Sequence, residues 1–151
     1  MAGRRPKPTA LKLVTGNPGG RPLNKLEPKP ETGIPPCPDW FLTGGHSREL
    51  WDRLAPDLFK MGVLTLSDAS ALEMLCISYA EFREANAQIE RDGMTFMSEN
   101  GLIKKHPAVG IRAEAWRRVM SGLVEFGLTP AARSKVQATP TPEASPFDEF
   151  L

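Results

Sequence analysis

Apolar positions along the chain fall into three stretches with helical spacing. Leu50, Trp51, Leu54, Leu58 and Met61 recur at spacings of 1, 3, 4 and 3, which places them on one face of a helix. Ser47 precedes them as an N-cap and Gly62 follows, so a helix is predicted between these residues. Pro56 lies inside it and cannot donate to the carbonyl of Asp52, which predicts a kink or a break into two short pieces. Thr65-Leu-Ser-Asp68 then reads as a capping box with Asp in place of Glu. It opens a long helix from about Leu66 to Asp92, closed by Gly93. Its main stripe is Leu72, Leu75, Cys76, Tyr79, Phe82 and Ile89, with Glu73, Glu81, Glu84, Gln88 and Arg91 opposite. Met74 and Ile77 fall off that stripe, so a second side of the helix is expected to be covered by a neighbouring subunit.

Between Met94 and His106 the period changes to two. Met94 and Phe96, then Leu102 and Lys104, alternate around Asn100-Gly101, a strong turn signal for a small β-hairpin. After Pro107 a third helix carries Ala115, Trp116, Val119, Met120, Leu123 and Phe126 on one side and Glu114, Arg117, Ser121 and Glu125 on the other. Glu114 and Arg118 have the spacing of an ion pair within it. Gly127 ends this helix, and Thr129-Pro130 supplies a cap and a first-position proline for one last turn. The expected fold class is mainly α: an antiparallel helical hairpin core with a small β-hairpin, between flexible N- and C-terminal tails.

Proline and charge divide the chain further. Nine of the 15 prolines fall in residues 1–38, where they discourage both helix and sheet. The expected organisation is a basic Pro/Gly-rich flexible arm over 1–38, a helical oligomerisation domain over 39–136 and a flexible C-terminal tail over 137–151. The net charge of +1 hides this division. Residues 1–26 carry Arg4, Arg5, Lys7, Lys12, Arg21 and Lys25 and no acid, a local charge of +6. Residues 39–130 carry 10 basic and 13 acidic side chains, a charge of −3. A basic arm on a mildly acidic body suits neutralisation of nucleic-acid phosphates, so those six residues are the expected DNA contacts. The plain alternative is a solvated, solubilising tail. A helix-turn-helix across Gly62 is the weaker reading, because its second helix opens with Thr65, Leu66, Ser67, Asp68, Ser70 and Glu73 and offers no Arg or Lys to DNA.

Reactive chemistry is sparse. His46 lies in a Gly-Gly-His-Ser loop and His106 precedes Pro107, so each reads as a surface or capping residue. No HxxxH, CxxC or clustered carboxylates suggest a metal site, and Cys37 and Cys76 read as free thiols. The Gly16-Asn-Pro-Gly-Gly-Arg21 segment has Arg21 and Pro22 where a P-loop needs Gly and Lys. No catalytic residues, no metal and no cofactor are therefore expected. No run nears the roughly 20 apolar residues needed to span a bilayer, and the basic N-terminal segment lacks an apolar signal core, so a cytoplasmic protein is expected. At the other end Phe147, Phe150 and Leu151 sit in the acidic, apolar run SPFDEFL, which suits docking into a partner's groove.

Three segments together resemble the small terminase subunits of tailed bacteriophages: GRRPKPTALKLVTGNPGGRPLN, WDRLAPDLFKMGVLTLSDASAL and FGLTPAARSKV. The resemblance implies a non-enzymatic viral DNA-packaging protein of the host cytoplasm that forms a homo-oligomeric ring. It further implies binding to double-stranded viral DNA and regulation of the large terminase subunit, which carries the ATPase and nuclease. A ring gives each subunit two different contact faces, matching the doubly apolar long helix, and the expected oligomer interface is Met74, Ile77, Trp116 and Met120. The expected large-subunit docking residues are Phe147, Phe150 and Leu151. A ring-forming head-completion or connector protein of the virion is the alternative, its arm then contacting portal rather than DNA.

Overall fold

The computed structural model describes residues 20, 23 and 30–133. The six basic residues of the arm and the segment Phe147–Leu151 lie outside them.

Helix α1 spans His46–Lys60 and buries Leu50, Trp51, Ala55 and Leu58, while Leu54 and Met61 of the stripe read from the sequence are half-buried. Its cap is Gly45, whose backbone is extended, so Ser47 is a helical residue rather than the N-cap. The helix also runs through Pro56 without dividing. Pro56 deprives Asp52 of one intrahelical bond, but Asp52 is exposed and Pro56 only half-buried, so water can reach the freed carbonyl. Gly62 follows in the left-handed region at φ 66°, where a Cβ would be strained. This bend lets the Leu58 carbonyl accept from Val63 N–H at 3.0 Å and Leu64 N–H at 3.3 Å.

The capping box then forms as expected. The Asp68 carboxylate accepts from Thr65 N–H at 2.9 Å and from the Thr65 hydroxyl at 2.7 Å. Residues Leu66–Asp68 are a 3-10 turn, and helix α2 proper begins later than expected, spanning Ala69–Asp92. Strands β1 (Thr95–Met97) and β2 (Ile103–Lys105) form an antiparallel hairpin with Phe96 opposite Lys104 and Met97 opposite Ile103. Gly101 takes φ 73° at its tip, the conformation expected of Asn-Gly. Helix α3 spans Pro107–Glu125, and a short α4 spans Pro130–Arg133, where Thr129 Oγ1 accepts from Ala132 N–H.

Helices α2 and α3 lie antiparallel, as three rungs between them show. Gly122 meets Leu75, Arg118 pairs with Glu81, and Arg112 bonds Asn86, so α2 positions rise as α3 positions fall. The expected Glu114–Arg118 pair is thus replaced by a bridge between helices. The core gathers Phe41, Leu50, Trp51, Ala55, Leu58, Leu64, Leu72, Leu75, Cys76, Val119 and Phe126. A smaller cluster of Ala85, Ile89 and Ala108 joins α2 to α3 near the hairpin. Residues 31–38 also pack on this body despite their prolines. Leu66 N–H donates to the Glu31 carbonyl at 3.0 Å, Pro35 is buried, and Cys37 packs against the core.

Candidate functional site

The apolar residues that the core leaves uncovered define the candidate surfaces. Each helix of the α2/α3 pair has a 3.6-residue repeat, so residues three or four apart share an edge. Met74 and Glu81, one heptad apart on α2, lie on the edge closed by the Arg118–Glu81 bridge. Met74 is 61% exposed there. Ile77 is half-buried and packs against the chain's own core, so much of its surface is already used. The opposite edge carries Arg112, Trp116 and Met120, successive positions at i, i+4 and i+8 on α3. Trp116 is 51% exposed and Met120 half-buried. The four expected interface residues are therefore divided between two edges.

Between α2 and α3, on the Trp116 edge, a cleft of about 420 Å³ is lined by Phe82, Asn86, Arg112, Ala113, Trp116 and Arg117. The Phe82 and Trp116 rings lie 5.6 Å apart at 46°. Arg112 Nη1 donates weakly to Asn86 Oδ1 at 3.4 Å, and Arg117 has no ion-pair partner among the described residues. Nearby, Arg83 donates to the Tyr79 hydroxyl at 3.0 Å and sits 5.8 Å over that ring. The sequence placed Trp116 on the apolar side of α3 and Arg117 on its polar side. Their convergence with Phe82 and Arg112 was missed, although 112, 113, 116 and 117 have the spacing of one helix face.

The hairpin is the second exposed apolar feature. Met97 and Ile103 on one face are 71% and 75% exposed, and Met94 and Leu102 on the other are 57% and 62%. Phe96, on the same face as Met94 and Leu102, is 41% exposed, with its ring edge-on to His106 at 6.2 Å.

The histidines and Asp52 have structural roles. His106 caps α3, its Nδ1 accepting from Ala108 N–H at 3.1 Å. His46 starts α1 beside Glu49, and Asp52 accepts from Arg48 Nε at 2.9 Å. Among the described residues no group of three His, Cys, Asp or Glu side chains is placed to hold a metal ion. Nor, among those residues, is any helix long and apolar enough to cross a membrane.

The family model for phage terminase, small subunit, matches residues 47–143, from the first turn of α1 past the end of α4. The chain belongs to the phage terminase small-subunit family. No curated protein and no solved structure matches it. Membership gives this small subunit a role in phage DNA packaging inside the host cell. The match covers the helical body and both edges of the α2/α3 pair, while the basic arm precedes it.

Proposed function

We propose that this small subunit is a non-enzymatic recognition component of the packaging motor, working in the host cytoplasm. It binds double-stranded viral DNA as a homo-oligomeric ring and regulates the ATPase and nuclease of the large terminase subunit. The family match over the helical body is the observation that carries the reading. Arg4, Arg5, Lys7, Lys12, Arg21 and Lys25 neutralise DNA phosphates, a role supported by a +6 segment without a single acid beside a body of −3. Subunits meet through Met74 and Ile77 on one edge and Trp116 and Met120 on the other, and two unlike edges suit a head-to-tail ring. Repeating the arm around the ring turns weak single contacts into avidity. Phe147, Phe150 and Leu151 engage the large subunit.

A salt titration of the full chain with labelled duplex DNA tests the DNA role. Affinity is expected to fall on the order of a hundredfold or more between 50 and 200 mM salt, and the slope to shrink when Arg4, Arg5 and Lys7 are changed to Ala. An absence of binding even at low salt would sink the DNA assignment and favour a connector role.

A further inference from the structure

The cleft on the Trp116 edge has the composition of a receptor for an acidic, aromatic segment. Phe82 and Trp116 present two rings, Arg112 and Arg117 present two guanidinium groups, and among the described residues no carboxylate lines it. Arg117 is without an ion-pair partner among the described residues, and half of the Trp116 surface faces outward. Guanidinium groups bind carboxylates through charge-assisted hydrogen bonds, and aromatic rings gain by packing on other rings.

The chain itself carries a segment of the matching chemistry, Phe147-Asp-Glu-Phe-Leu151. We propose that this C-terminal segment docks in the cleft, with Phe150 packed on Trp116 and Phe82 and with Asp148 and Glu149 paired to Arg112 and Arg117. One helical turn suits the fit, because Phe147, Phe150 and Leu151 at i, i+3 and i+4 share a face. The reach is sufficient. Residues 134–146 span up to about 45 Å when extended, whereas Trp116 lies about 14 Å of helix rise back from Glu125 and the stretch from Glu125 to Arg133, where the tether starts, adds at most about 28 Å. A tether of this length holds the segment at an effective concentration near the millimolar range, so a weak contact suffices.

Docking of the segment on its own protein does not depend on the DNA or ring assignments. It also gives the tail a resting place, from which the large subunit has to draw the same three apolar residues. The segment then lines the Trp116 edge, where a neighbouring copy is received.

Photo-crosslinking of the full chain, without the large subunit, tests the site. With Phe150→p-benzoylphenylalanine, irradiation and peptide mass spectrometry are expected to place the crosslinks in residues 79–86 and 112–117. Arg112→Glu with Arg117→Glu should lower their yield about tenfold, and adding Asp148→Lys with Glu149→Lys should restore it. Crosslinks to other parts of the chain, no crosslinks, or a yield indifferent to the arginine changes would each overturn the proposal. Should the arginine variant lose its helical circular dichroism, Asp148→Lys with Glu149→Lys alone makes the same test, because it leaves the helical body untouched.

Discussion

Cys76 is fully buried in the core, and burial pushes its thiol up to about 12. In the unfolded chain the same thiol titrates near its ordinary value of 9.0. Its raised value therefore contributes stability that is intact below pH 9 and is lost as pH rises between about 9 and about 12, where the unfolded state alone forms the thiolate. Urea unfolding midpoints should fall across that window, and Cys76→Ala should flatten the fall. Burial also raises the thiol of the half-buried Cys37 above its ordinary value. The sequence placed Cys76 on an apolar helix stripe, which made its burial legible. The tryptophans were harder. Trp51 and Trp116 both lie on apolar helix stripes, yet Trp51 is 3% and Trp116 51% exposed, because periodicity identifies an apolar face without saying whether anything covers it.

At the scale of elements, α3 contains two glycines in opposite situations. Gly110 is exposed, and a Cβ there would meet nothing within 4 Å. At Gly122 a Cβ would stand 2.8 Å from Cδ1 of the buried Leu75, where α2 and α3 cross closely. Replacing a helical glycine by alanine stabilises by about 1 kcal/mol when nothing opposes it, whereas overpacking costs about 1–3 kcal/mol. Gly110→Ala should therefore raise stability by about 1 kcal/mol, and Gly122→Ala should leave it unchanged or lower it, as read by urea denaturation. Equal gains at both positions would contradict the close α2/α3 approach. Helix ends and turns were legible in the sequence where a local device sets them, as with Thr65 and Asp68, Gly101 or Thr129-Pro130. The continuity of α1 through Pro56 was not, because it depends on which side of the helix meets solvent. Arg118 shows the same limit. Its spacing from Glu114 suits an ion pair, yet the antiparallel packing of α2 brings Glu81 within reach.

For the whole molecule, uncovered apolar side chains matter more than any reactive group. Met74 is exposed on one edge of the helix pair and makes no contribution to the core cluster. Under the proposed ring, Met74→Glu should reduce the assembly to smaller species in native mass spectrometry while helical circular dichroism stays constant. An unchanged assembly mass would remove Met74 from the interface. Much of the candidate site could be listed from the sequence, but its geometry could not. Phe82, Arg112, Trp116 and Arg117 are separated by up to 35 positions, and only the register of α2 against α3 brings them to one cleft.

By itself the sequence determined the helical stripes, the hairpin turn, the capping box at Thr65 and the separation of a +6 arm from a −3 body. These features are set within a few residues by backbone sterics, by side-chain period and by charge, none of which needs a distant partner. Only the tertiary structure decided that Arg118 pairs with Glu81, that Ile77 packs partly against the core while Met74 stays outside, and that Trp116 opens onto a basic cleft. Those outcomes depend on which surfaces are already covered, and coverage is fixed by the packing of segments far apart in the chain.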